Sequence, residues 1–98
     1  MKQADIVRQK SIQAEINIIM DKNYNREHYH HILSLINQEA EKGKYQIIFD
    51  DNNKENFNIV NKKDIQKLLE HDGFVINNIF SDYIDNITSE HIATKIQW

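Results

Sequence analysis

The sequence predicts an α+β fold, in which an N-terminal helical hairpin and a third helix pack on one face of a small sheet of three or four mostly antiparallel strands. Three observations carry that prediction. Residues 25–42 space their apolar side chains as one side of a helix; at Gly43 the spacing shortens to the period of 2 that marks a strand; and residues 92–98 end in alternation. A helix and a strand that adjoin, each with one apolar face, bury both most simply by packing one on the other.

Residues 3–20 contain neither glycine nor proline, and Ile12, Ile16, Ile19 and Met20 form one helical stripe that Ile6 extends. A second apolar set, Val7, Ala14 and Ile18, lies roughly a third of a turn or more away. A helix apolar on two sides either lies in the middle of a core or touches a second chain. In so short a chain the second chain is expected. Residues 1–22 are therefore read as an oligomerisation element, with Val7, Ala14 and Ile18 as its interface, and residues 23–98 as the α+β core of the same single domain. The plainer alternative is that these side chains are tolerated at the surface.

Residues 21–24 make a short polar link, so the first two helices should form an antiparallel hairpin. In the second helix Tyr29, Ile32, Leu33, Ile36 and Ala40 share a side. Asn23 or Asn25 is expected to cap its start, where Glu27 also suits the positive end, and Lys42 suits the negative end. Gly43 then supplies the left-handed conformation that closes the helix. Tyr45, Ile47 and Phe49 follow on one strand face, with Gln46, Ile48 and Asp50 on the other. After a polar stretch over 50–56, residues 57–60 read as a second strand, paired with 45–50 in a hairpin. Asn61 is expected to cap a third helix buried through Ile65, Leu68 and Leu69 and ended by Asp72 and Gly73. Residues 74–80 read as a strand. Residues 81–91 stay open between a loop, a short helix from Ser89 and an edge strand around Tyr83. The last strand places Ile92, Thr94, Ile96 and Trp98 on one face, and Trp98 should be ordered within it.

Ninety-eight residues suit one small domain, and 40% hydrophobic with 28% charged residues is ordinary for a globular chain. There are no cysteines, so disulfides, thiolate metal sites and cysteine nucleophiles are excluded. No run is long and apolar enough to span a membrane, and the N-terminus lacks the apolar segment of a signal peptide, so a cytoplasmic location is expected. The net charge of −3, with only Arg8 and Arg26 as arginines, gives no overall attraction toward phosphate backbones.

Three groups of residues could carry chemistry. Glu27, His28 and His31 fall three and four apart, so their side chains could converge on a helix face and hold a zinc-like ion, with a fourth ligand from His71, His91 or another subunit. Their order differs from the HExxH pattern, and a solvated histidine patch is the plainer reading. Lys62, Lys63 and Lys67 form a basic patch on the third helix, able to touch phosphate, with no arginine or exposed aromatic near it in the sequence. Asp50, Asp51, Asn53 and Glu55 lack the spacing and glycine of a calcium loop and read as a turn. No glycine-rich phosphate loop, serine elbow or carboxylate pair is present. The expectation is a protein that is not an enzyme and needs no cofactor.

Glu41-Lys42-Gly43-Lys44-Tyr45 leading into a strand, a helix ending Asp72-Gly73-Phe74, and the terminal Ile96-Gln97-Trp98 together resemble a group of small bacteriophage-encoded proteins. The likeness covers residues 26–98 in outline, and no catalytic residue carries over from it. The resemblance implies a phage or mobile-element origin, where chains of this size bind a host or virion protein. The expected function is therefore protein–protein binding, by a virion accessory component or an inhibitor of a host process, present as a homo-oligomer in the host cytoplasm or the virion. The alternative is a nucleotide or nucleic-acid binder using Lys62, Lys63 and Lys67. A third reading is a metal-dependent enzyme at the histidines.

Overall fold

The computed structural model describes residues 2–81 and 90–98. Helices α1 (Gln3–Met20) and α2 (Asn23–Glu41) come first, followed by strand β1 (Gln46–Asp50), helices α3 (Lys54–Val60) and α4 (Lys63–His71), and strands β2 (Val75–Ser81) and β3 (Glu90–Gln97). The strands form one antiparallel sheet in the order β1-β3-β2, so the C-terminal strand is central and both other strands are edges. This is the expected α+β arrangement. The undecided segment after residue 81 lies mainly outside the described residues.

Register follows the period-2 pattern. Ile47 and Phe49 stand opposite Ile96 and Thr94, and Ile76 and Asn78 meet the same two residues from the other side. Phe49, Thr94 and Ile96 are buried against the helices, whereas Ile48, Val75 and Ile79 of the opposite face are exposed. The inner face joins Ile32 and Ile36 of α2, Phe57 and Val60 of α3, and Ile65, Leu68 and Leu69 of α4 in one core. Burying side chains of this size contributes about 1.5–3 kcal/mol each relative to exposure. Tyr45 departs from expectation. It precedes β1 and points into solvent, with 76% of its surface exposed, although its carbonyl accepts from the Trp98 amide at 3.1 Å and keeps the end of the chain in the sheet.

The strand expected over residues 57–60 is helix α3, and no hairpin joins it to β1, whose partner is β3. The reason is local. The Asp50 carboxylate accepts from the Asn52 amide at 2.9 Å and starts a 3-10 turn over Asp51–Asn53 that leads directly into α3. Phe57 and Val60, three apart, then share one helical face and are both buried. Asn61 becomes the C-cap of α3 instead of the N-cap of the next helix, and Lys62 occupies that N-cap without a side-chain hydrogen bond.

Gly43 and Gly73 have φ of +84° and +95° and close α2 and α4 with the same pair of bonds. Gly43 donates to the Ala40 carbonyl at 2.9 Å and Lys44 to Glu39 at 3.2 Å; Gly73 donates to Glu70 and Phe74 to Leu69, each at 3.0 Å. Space around both glycines is open, so their requirement is backbone conformation alone. The clasps differ in side chains. Phe74 and Leu69 both join the core at one, while at the other Lys44 pairs with Glu39 at 2.9 Å.

Asn23 and Asn25 do not cap α2. Asn25 is buried and turns back to donate to the Ile19 carbonyl at 3.0 Å, and Arg26 donates to the Met20 carbonyl at 2.5 Å. Both therefore satisfy the C-terminal end of α1, and α2 begins at Lys22 with no side-chain cap.

Candidate functional site

Besides the outer face of the sheet, two surfaces gather residues that the sequence singles out: the outer side of α1, and a basic cleft where two helices begin.

Only Ile16, Ile19 and Met20 of α1 reach the core. An 18-residue helix is about 27 Å long, and those three residues all lie in its last five, so its first thirteen contribute none to that core. The radius of gyration, 15.7 Å, exceeds the value of about 13 Å for a compact chain of this length. Val7, Ala14 and Ile18 are all exposed, Ile18 at 67%. Burial in this chain's own core, the first explanation for a helix apolar on two sides, is thereby excluded for them. Ala4 and Ser11 are exposed as well, and with them the residues run 4, 7, 11, 14, 18, alternately three and four apart. The charged residues of α1, Asp5, Arg8, Lys10 and Glu15, all lie off that line.

The lysine patch divides. Lys67 reaches across to α1 and pairs with Glu15, which holds its ammonium above the usual lysine range. Lys62 and Lys63 instead line a cleft of about 420 Å³ with Tyr24, Asn25 and Asp64. The Lys62 Nζ lies 5.9 Å from the centre of the Tyr24 ring and 3.4 Å from His28 Nδ1. Lys22 Nζ stands 5.9 Å from the same ring. Tyr24, half-exposed, is thus the aromatic that the sequence does not place near the lysines; the folding of α2 against α4 brings it there. Lys22 and Lys62 share a signal readable in hindsight: each immediately precedes a helix.

The candidate metal ligands are not gathered around a common point. His28 faces the Lys62 ammonium, whose positive charge opposes a cation there, and His31 Nε2 lies 2.9 Å from Asn56 Oδ1. Glu27 is exposed on α2. His91 packs between the Phe57 and Phe80 rings, with centroids 5.0 and 5.1 Å away, and its Nε2 is 2.8 Å from the Ala93 carbonyl. His71 is 4.0 Å from Asp72. Among the described residues no three histidine, aspartate or glutamate side chains stand together to hold a metal ion.

One further cluster closes the end of α2. Glu39 pairs with both Lys44 and Lys42, at 2.9 and 3.1 Å. The Lys44 hydrogen bond first, and the Lys42 bond second, hold its carboxyl below the usual glutamate range. The cluster sits beside an open hollow along β1, and its evident task is to reinforce the Gly43 clasp.

Among the described residues no helix is long and apolar enough to cross a membrane. No family model matches the chain, and neither curated proteins nor solved structures provide a match.

Proposed function

We propose that the protein works by binding protein, without catalysis, and that its first partner is a second copy of itself held through α1. The observation that carries this reading is the exposed line Ala4, Val7, Ser11, Ala14, Ile18 on a helix that joins its own core only through its last five residues. Alternation of three and four is the spacing at which two helices wind together and insert side chains into each other's gaps. Alanine and serine at the centre let the backbones approach, and Val7 and Ile18 supply the apolar ends. In a parallel pair at this spacing, Lys10 of one copy comes beside Glu15 of the other, whose carboxylate already pairs with Lys67 of its own chain. Two heptads are short for an isolated coiled coil, but here the helix is anchored in a folded body at its C-terminal end.

The assembled form presents two copies of the exposed sheet face, and the resemblance to phage-encoded proteins favours a host or virion protein as the further partner, in the role of virion accessory component or inhibitor of a host process.

Size-exclusion chromatography with light scattering tests the pairing. The expected result is a dimer or larger assembly at micromolar concentration that Val7→Asp and Ile18→Asp each convert to monomer, with helical content retained. A monomer throughout the micromolar range, or an assembly indifferent to both substitutions, would overturn the reading.

A further inference from the structure

We infer that the cleft between the start of α2 and the start of α4 binds the phosphate group of a nucleotide, with Tyr24 as the surface for its base. The inference does not rest on self-association: none of the residues lining the cleft lies on the α1 line, although Lys22 and Asp64 share the adjoining hollow with Ile18.

Three observations meet at this place. First, Lys22, Lys62 and Lys63 are in no ion pair with another described residue, in a protein whose net charge is −3. Two of these ammoniums approach one tyrosine ring to 5.9 Å. An anion placed beside that ring is attracted to both ammoniums. Second, the residues lining the cleft include the first turns of both α2 and α4, and neither helix has a side-chain cap. The Asn25 amide already donates to the Lys22 carbonyl at 3.1 Å, which leaves the amides of Asn23 and Tyr24 in α2 and of Lys63 and Asp64 in α4 for phosphate oxygens, at the helix end that favours negative charge. Third, the cleft is about 420 Å³, within the span of about 300–1,000 Å³ usual for small-molecule sites.

The chemistry of the lining selects the ligand. Lysines, with no arginine fork, act as flexible point charges of the kind that hold phosphate. An aromatic ring at the rim adds a π-face on which a base can stack, and stacking is tolerant of base identity. Asp64 is the acidic residue lining the cleft; its charge opposes the anion and favours a ligand that also offers a hydrogen-bond donor, such as a ribose hydroxyl or a base amine. Sequence reasoning assigned phosphate contact to Lys62, Lys63 and Lys67. The geometry sets Lys67, engaged with Glu15, apart from the cleft, and brings Lys22, which lines the adjoining hollow, to the Tyr24 ring at the rim.

A nucleotide free in solution and the end of a single strand offer the same phosphate-and-base chemistry, and one titration separates them. The full chain, isotopically labelled, is titrated in turn with adenosine triphosphate, adenosine, inorganic phosphate and a short single-stranded oligothymidylate while backbone amide resonances are followed. The nucleotide is expected to shift Asn23, Tyr24, Lys63 and Asp64 first, and to bind at least about tenfold more tightly than adenosine or phosphate alone. Replacing Lys22, Lys62 and Lys63 together by glutamine should weaken it by about tenfold for each ammonium that contacts the ligand. Resonances far from the cleft report that this variant is folded. Tyr24→Ala, with the lysines intact, should lower nucleotide affinity and leave phosphate affinity unchanged. No shift at millimolar nucleotide, shifts centred elsewhere, equal affinity for phosphate and nucleotide, or binding of the oligothymidylate alone would each overturn the proposal.

Discussion

The Asn25 side chain leaves its own helix and donates to the Ile19 carbonyl of the preceding one, in surroundings that leave it only 1% exposed. Its replacement by alanine removes that bond and leaves the Ile19 carbonyl with the Lys22 amide at 3.4 Å as its partner, a loss of about 1 kcal/mol. Chemical denaturation should show a loss of that size, whereas Asn23→Ala, at an exposed position, should change stability by no more than about 0.5 kcal/mol. Glu39 makes a prediction in pH. Its carboxyl titrates lower in the folded chain than unfolded, because Lys44 and Lys42 bond to the charged form. The unfolded state therefore binds the proton more readily, and the stabilisation is present above the ordinary glutamate range and lost as pH falls through the folded value. Glu39→Gln should flatten stability against pH in that acid window and leave the slope near neutral pH unchanged, as measured by denaturation at a series of pH values.

At the scale of elements, the sheet has two unlike faces, and the register states which residues belong to each. Phe49 and Ile48 are neighbours in β1, yet one is buried against the helices and the other exposed on the open face. Phe49→Ala is expected to cost about 3–5 kcal/mol through the cavity it leaves, while Ile48→Lys should fall within about 0.5 kcal/mol of the parent. A comparable cost for both would mean that the outer face is covered. The error over residues 57–60 is instructive at the same scale. Phe57, Ile59 and Val60 satisfy a short strand pattern as easily as a helical one, and four residues cannot separate the two periods. What decides is the turn upstream: the Asp50 side chain bonds to the Asn52 amide and turns the chain at the end of β1, placing residues 51–53 in a 3-10 turn and Lys54 onward in helix. That signal lies in ordinary turn chemistry and was open to a closer reading. The caps are different. Asparagine before a helix is a sound expectation for an N-cap, but Asn25 finds a better partner in a carbonyl that only the folded hairpin brings near.

For the molecule as a whole, the small body and the exposed line on α1 have a common consequence. A chain of this length buries a limited share of its surface, and pairing through α1 would add to it. Because pairing draws on the folded state alone, the midpoint of thermal unfolding should rise with protein concentration. Ile18→Asp should abolish that rise, and a midpoint independent of concentration in the parent would count against self-association. The Lys67–Glu15 pair ties α4 to α1 across the surface.

The order of most elements, the left-handed glycine at position 43, the α2 stripe from Tyr29 to Ile36 and the alternation over residues 94–98 were determined by sequence, because each rests on interactions within a few residues; Ala40 and Ile92, read as part of those faces, are exposed, and Ala93 is buried beside the register shift at Ile79 and Phe80. Helical spacing likewise marks Val7, Ala14 and Ile18 as a second apolar line without any coordinates. The tertiary structure alone decided that β3 lies between β1 and β2, since strands far apart in the chain are matched by burial and not by local preference. It alone brought Tyr24 and Lys22 to Lys62 and Lys63, sent Lys67 to Glu15 and turned His28 toward a lysine. Residues so far apart in the chain meet only when the hairpin packs on α4, and no local period records that meeting.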